Sequence, residues 1–266
     1  MEESVIKKAL DLHRKLPPTQ IPKNVAALTA IVEDEDQQDE MMQRIDQPLE
    51  TLKDSTNGAD FLKCEYNRDG DCWRSPYSNE YFPQPHADDM SDAFYPSGDL
   101  KEMEQKANAM VKEYATLYFT NPLANAYFFE TTDSGFGACY LIMNTLTHEK
   151  GVKQGEWHSI HSFTVDENIT GKHTYTLVST VFLRLELEGE SFGDLSICGT
   201  SSKRIENTYP KNDNNDEHLI RIGQMLEKNE GFLRDELDAV YVGKSKQLIN
   251  TVRVDESYNN TKTLLK

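Results

Sequence analysis

Tyr175-Thr176-Leu177-Val178-Ser179-Thr180-Val181-Phe182-Leu183-Arg184-Leu185-Glu186-Leu187 reads as a long β-strand. Its β-branched and aromatic residues suit a pleated, half-buried surface. Strand side chains alternate between faces, so Leu177, Val181, Leu183, Leu185 and Leu187 share one side, with Val178, Thr180, Phe182 and Arg184 opposite. The same period of two recurs in Tyr127-Phe128-Phe129, from Gly137 to Met143 and from His158 to Val165. Leu195-Ser196-Ile197-Cys198 is expected as a short last strand. The connectors Asn168 to Gly171 and Glu188 to Gly193 are brief enough for hairpins, which predicts an antiparallel sheet between about Ala126 and Ser201.

Helical periodicity flanks this region. Asp99 is placed to N-cap a helix, with Glu102 three residues on. Leu100, Met103, Ala107, Met110, Val111, Tyr114, Leu117 and Tyr118 then recur at steps of three and four. A last helix runs from about Asp216 to Val252, with Leu219, Ile222, Met225, Leu226, Phe232, Leu233, Leu237, Val240, Tyr241, Leu248 and Ile249 on its expected buried side. It would span on the order of 50 Å, longer than one small sheet needs, so it covers a sheet wider than this chain supplies. Near the start, Val5, Ile6, Ala9, Leu10, Leu12 and Leu16 make a first helix that ends at Pro17-Pro18. A second begins near Pro22 and carries Val25, Ala26, Leu28, Ile31 and Val32, followed by a solvated acidic run from Glu33 to Glu40. A third is expected to carry Met41, Met42, Ile45, Leu49 and Leu52, kinked by Pro48. Helices, then strands, then a helix is an α+β order. The expected layout is a helical stalk over 1–56 and a loop with its connector over 57–98. A body of helix, sheet and long helix follows over 99–252, then a short tail over 253–266.

Composition narrows the function. Net charge is −17 over 266 residues, which argues against nucleic acid and against adhesion to anionic membranes. Hydrophobic residues make up 37 % and mean hydropathy is −0.67, low for a self-contained globule and ordinary for an elongated helical protein with a partner. No apolar run approaches the ~20 residues of a membrane span, and Met1-Glu2-Glu3-Ser4 does not open a secretory signal. Cys64, Cys72, Cys139 and Cys198 form no Cys-x-x-Cys pair, which favours a cytoplasmic protein with reduced thiols.

The segment Cys64-Glu65-Tyr66-Asn67-Arg68-Asp69-Gly70-Asp71-Cys72-Trp73-Arg74-Ser75-Pro76-Tyr77-Ser78-Asn79-Glu80-Tyr81 is dense in turn formers and reads as a rigid surface loop. Tyr66, Trp73, Tyr77 and Tyr81 pin it to a core. A calcium loop with Gly70 at its sixth position would place Glu65, Asn67 and Asp69 as ligands, but its twelfth position is Pro76, which has no side-chain oxygen. Gly243-Lys244-Ser245 lacks the glycine a phosphate loop needs five residues earlier, where Asp238 stands. His158 and His161 are three apart on a strand, so their rings face opposite ways. No catalytic constellation, metal site or cofactor is expected.

The same segment resembles the signature of the F-actin capping protein beta subunit. The matching residues are Asn67, Arg68, Asp69, Gly70, Asp71, Arg74, Ser75, Pro76, Ser78, Asn79 and Tyr81. The likeness extends through Leu12 to Pro18, Asp46 to Leu49, Gly135 to Ala138, Trp157 to His161, His218 to Gly223 and Val240 to Lys246. It implies an N-terminal helical stalk, a central antiparallel sheet completed by a partner subunit and a long C-terminal helix packed across that sheet. It also implies an obligate heterodimer with a capping protein alpha subunit. Such a heterodimer binds actin filament barbed ends and blocks subunit addition and loss, without enzymatic chemistry, in the cytoplasm and cytoskeleton. Phosphoinositides and capping regulators follow as further partners. The alternatives are an end-cap scaffold subunit of a dynactin-like complex, or a non-capping regulatory binding module of the same fold.

On this resemblance the actin-binding residues are Lys244, Lys246, Arg253 and Lys262, with Leu264 and Leu265 in the tail. Lys203 and Arg204, near where the family has a Thr-Arg pair after the last strand, are second candidates. From Tyr241 onward five basic residues face two acidic ones, in a strongly acidic chain. Two departures stand out: the tail holds only Leu264 and Leu265 as apolar residues beyond Tyr258, and the acidic run after Val32 replaces a more apolar stalk.

Overall fold

The computed structural model describes residues 3–13, 16, 20–32, 34, 37–38, 41, 45–85, 95–131, 135–147, 153–167, 171–187, 195–211 and 214–264. The central element is a five-stranded antiparallel meander of β6 (Leu123–Glu130), β7 (Gly135–Thr147), β8 (Lys153–Glu167), β9 (Lys172–Leu187) and β10 (Leu195–Pro210). The strands lie in the order β10-β9-β8-β7-β6, so each pairs with its neighbour in sequence. Most residues of the expected hairpin connectors lie outside the described ones, but the pairing they predicted is present.

Both faces of the sheet are covered. On one lie α3 (Gly98–Tyr118) and α4 (Asn215–Leu264). Leu100, Met103, Ala107, Val111, Leu219, Ile222 and Leu226 from these helices pack on Phe128, Tyr140, Phe163, Tyr175 and Leu177. On the other face, α2 (Ile21–Thr29) brings Ile21, Val25 and Leu28 to Tyr127, Cys139, Leu141, Ile160 and Phe182. The helix α1 (Glu3–His13) adds buried Ile6, while Val5 and Leu12 are exposed. The predicted two-sided strand Tyr175–Leu187 is thus apolar on both faces because both are roofed: Leu177 and Val181 lie under the helices, Phe182 on the α2 side.

Several elements differ from expectation. The third helix is not formed over residues 45–53: 45–49 run without helical structure, and β1 (Glu50–Lys53) pairs antiparallel with β2 (Asp60–Lys63). Met42 and much of the acidic run lie outside the described residues. β10 is 16 residues long rather than short. Its second half is polar because it is the edge strand and alternate side chains face out, yet it pairs with β9 down to Pro210↔Lys172. α3 starts at Gly98 with Ser97 as N-cap, so Asp99 sits in the first turn rather than at the cap. On α3, Leu117 is 78 % exposed and Met110 and Tyr118 are also exposed, while the sequence stripe missed Glu104, which is fully buried. α4 continues to Leu264, twelve residues past the expected end, and two residues of its expected buried side, Phe232 and Val240, are exposed. Its 50 residues correspond to about 75 Å.

Candidate functional site

The signature segment is a surface loop only in part. It folds as a 3-10 turn (Glu65–Asn67) and three short strands, β3 (Arg68–Asp69), β4 (Cys72–Arg74) and β5 (Tyr81–Phe82), with Asn67, Arg74 and Ser75 buried and Glu65, Arg68, Asp71 and Glu80 exposed. Gly70 supplies the positive φ of +54° that the β3–β4 turn requires. Asn67 is buried: its Nδ2 donates to Leu62 O at 3.2 Å and Arg74 O at 3.0 Å, and its Oδ1 accepts from Cys64 N–H at 2.9 Å. With both ends of its amide committed to the backbone, Asn67 does not face outward beside Glu65 and Asp69 as a cation loop would need.

Arg74 is 1 % exposed and forms a two-pronged pair with Glu104 of α3, at 2.8 Å from Nη1 to Oε1 and 2.6 Å from Nη2 to Oε2. Nη1 also donates to Asn79 Oδ1 at 2.8 Å, and Asn79 holds a left-handed φ of 64°. Lys101 Nζ and the Phe128 N–H donate to the two Glu104 oxygens at 2.7 and 2.9 Å. Burial alone would raise the Glu104 carboxyl; Arg74 and Lys101 outweigh it and hold the group below its ordinary range. Buried Ser75 donates to Asp54 Oδ2 at 2.6 Å. For Asp54 too, burial is overcome by Ser75, Ser78 and the Thr56 and Asn57 amides, and its pKa falls. Of the signature residues, Asn67, Arg74, Ser75, Pro76 and Tyr81 are buried. Arg68 and Asp71 are exposed, joined to each other at 3.7 Å. The segment is a structural node joining the loop, α3 and β6. Sequence reading found the node's residues but missed Glu104 and Asp54; an acidic residue beside the apolar stripe Leu100, Met103, Ala107 was the available signal for Glu104.

A second buried polar cluster fastens α4 to the sheet. Glu230 accepts from Ser159 Oγ at 3.2 Å and from Arg234 Nη2 at 2.9 Å. Its other oxygen stands 3.7 Å from His161 Nε2. His161 Nδ1 meets Ser179 Oγ at 2.8 Å, and Asn229 Nδ2 donates to that same oxygen at 2.7 Å. Burial lowers the His161 pKa, only partly offset by the Glu230 charge. His158 faces the opposite side of the sheet, where its Nδ1 accepts from Leu49 N–H at 2.9 Å, as the spacing predicts.

The basic candidates fall in two places. Lys203 and Arg204 lie inside β10, not after the last strand, and therefore on opposite faces. Lys203 Nζ sits over the Phe232 ring of α4 at 2.8 Å. Arg204 is exposed, with Glu206 at 3.7 Å. Lys244, Lys246, Arg253, Lys262 and Leu264 all lie on α4 rather than in a separate tail; Lys246 and Arg253 are exposed. The side chains of Lys244, Lys262 and Leu264, and all of Leu265, lie outside the described residues. Phe232 and Lys246 are separated by about 21 Å of helix, so the two groups do not form one cluster. The last buried side chain described on α4 is Leu237; beyond it Val240, Lys246, Arg253 and Val254 are exposed. No described group of three or more His, Cys, Asp or Glu could hold a metal ion, and no described helix is long and apolar enough to cross a membrane.

Comparison with known proteins agrees in fold and sequence. The chain is similar to a homodimeric actin capping protein alpha subunit from Plasmodium berghei, with a TM-score of 0.55 over 95 % of this chain and 97 % of that one. At 14 % identity that likeness concerns the fold alone. It is 36 % identical over 255 residues to the F-actin-capping protein subunit beta of Dictyostelium discoideum, covering 95 % of this chain and 90 % of the relative. The subunit beta of Arabidopsis thaliana is 34 % identical over 92 % of this chain and 94 % of its own length, and that of Drosophila melanogaster 34 % over 97 % and 90 %. The sequence model of the F-actin capping protein, beta subunit, matches residues 6–249. With that match running from α1 far into α4, the chain belongs to the F-actin capping protein beta subunit family.

Proposed function

We propose that this chain is the beta half of a heterodimer that caps actin filament barbed ends and blocks subunit gain and loss, by binding and without catalysis. The observation that carries the reading is the match to F-actin-capping protein beta subunits over 90 % or more of their length. Two features of the fold support the pairing. β10 is a 16-residue edge strand, and α4 runs some 27 residues past its last described buried side chain. A second, related subunit adding strands beyond β10 would use both the free edge and the overhang. Arg204, Lys246 and Arg253, exposed and basic on an acidic chain, are the residues we assign to acidic actin surfaces, with Lys244 and Lys262 on the same helix and Leu264 and Leu265 as apolar contacts. Lys203, engaged with Phe232, contributes less. The setting is the cytoplasmic cytoskeleton.

The test is co-expression with a capping protein alpha subunit, followed by pyrene-actin elongation from filament seeds. Elongation suppressed at nanomolar complex is expected. A folded heterodimer that leaves elongation unchanged rejects the proposal.

A further inference from the structure

We propose that Arg234 is a positioning residue for barbed-end binding: it sets the direction in which α4 leaves the sheet, and with it the place of Lys246 and Arg253. The inference rests on the capping reading above and deepens it. Leu233 and Leu237 are the last buried side chains described on α4, and they pack with Val181 and Trp157. Beyond them the helix runs on to Leu264, with Val240, Lys246, Arg253 and Val254 exposed. Whatever holds the rod at this last anchored turn therefore aims everything after it.

Apolar burial is non-directional, so two leucines on one face press the helix down without stopping a sideways swing. The lateral hold comes from the flanks. At about 3.6 residues per turn, Arg234 projects to one side of the Leu233–Leu237 face, and Phe232 and Glu236 to the other. The Arg234 guanidinium carbon stands 3.7 Å from the centre of the Tyr118 ring, 5.0 Å from Phe119 and 5.5 Å from Trp157. Tyr118 ends α3 and Trp157 lies on β8, so one side chain ties the rod to two other elements. Nη2 donates to Glu230 Oε1 at 2.9 Å, which braces the group from one turn back. Its Nε has no hydrogen-bond partner among the described residues, so the rings, with Glu230, are what fix it. A flat, delocalised cation can stack on such rings in a way that a compact ammonium cannot.

The opposite flank holds less firmly. Glu236 accepts from Ser201 Oγ at 3.0 Å and Lys203 sits over the Phe232 ring at 2.8 Å, but both partners are on the edge strand and Glu236 and Phe232 are exposed. Exposed polar pairs contribute little, whereas the Arg234 side chain is only 19 % exposed. The lever is long. Arg253 lies 19 positions beyond Arg234, about 28 Å along the axis. A swing of about 10° at the anchor displaces it by about 5 Å, more than the ~4 Å reach of an ion pair.

The test uses the heterodimer with a capping protein alpha subunit, spin-labelled at Val254 and at Glu130 on β6, both exposed. The labels are carried on unnatural amino acids, so the native cysteines stay in place. A narrow distance distribution is expected in the wild type and a broad one in Arg234→Met. Barbed-end affinity in that variant should weaken roughly ten-fold, as two exposed ion pairs fall out of reach. Arg234→Met also leaves the buried Glu230 carboxylate without its cation, which lowers the unfolding midpoint. Adding Glu230→Gln removes that charge, so the midpoint should recover while the broad distribution and the capping defect persist. Capping that returns together with stability overturns the proposal, because Arg234 then only holds the fold together. An unchanged distance distribution in Arg234→Met does so equally. A wild-type heterodimer that leaves elongation unchanged defeats the capping reading and the actin half of this inference with it, while the label distances still uphold or overturn Arg234 as the guide of the rod.

Discussion

The two buried polar clusters use the same residue types to different ends. Around Arg74 and Glu104, Arg74 spreads its donors over Glu104 and Asn79, and both carboxylate oxygens accept twice. Around Glu230 and His161, the fit is looser: His161 Nε2, Asn229 Oδ1 and Arg234 Nε have no hydrogen-bond partner among the described residues. A saturated network fixes one geometry and punishes any deletion, whereas a slack one holds two elements together at lower cost to change. The first joins the signature turn to α3 and β6 as a rigid unit. The second is the latch between the sheet and the long helix.

The contrast is most exposed by removing one charge from each. Glu104→Ala leaves the Arg74 guanidinium buried and unpaired, so a loss of about 3–5 kcal/mol is expected in denaturant unfolding of the complex. Arg74→Met combined with Glu104→Leu should recover much of that loss, because no charge is then stranded. In the latch, Glu230→Ala should cost less, about 1–3 kcal/mol. If the two single deletions cost the same, the distinction between saturated and slack clusters fails.

Overpacking tests the sheet between them. A methyl on Gly137 meets the Phe129 ring, which stacks on Tyr66 of the signature turn at 5.2 Å. Gly137→Ala should therefore cost about 1–3 kcal/mol by the same unfolding measurement.

Acid titration separates the clusters by pH. The His161 pKa is depressed by burial, so the unfolded imidazole takes up a proton near its ordinary 6.5 while the folded one does not. Stability supplied by the latch is then lost as pH falls below 6.5, and His161→Phe should flatten that limb. Glu104 is depressed too, so its contribution is full above the ordinary 4.5 and is lost only as pH falls through its lower folded value. The unfolding midpoint should decline in two separable stages, and one stage alone would contradict the assignment. The smallest effect on stability is expected at Arg204 and Lys246, which touch neither cluster. Alanine there should leave the unfolding midpoint unchanged while weakening barbed-end binding in the elongation assay.

The sheet and α3 were legible because burial writes a period into local sequence: Leu177 and Val181, or Leu100, Met103 and Ala107, need no distant information. β1 was read as helix because Met41 to Leu52 has helical spacing, and its strand state depends on pairing with Asp60–Lys63. The polar half of β10 was hidden for the same reason: its order comes from β9, not from its own composition. The signature residues were recognised, but as a surface loop. Their burial follows from Glu104, 30 positions from Arg74, and from Asp54, 21 positions from Ser75. The basic candidates came from the family resemblance and the local excess of positive charge, yet their separation on an edge strand and an extended rod required the fold.

The overhang of α4 has a consequence for how the molecule breathes. Past Leu237, backbone hydrogen bonds hold the rod without described core packing from its own chain, so each amide there reports helix–coil opening rather than global unfolding. Deuterium uptake should rise steeply between the Leu233–Leu237 anchor and Leu264. A bound neighbour would erase that gradient, turning the far end of the helix into a built-in gauge of occupancy.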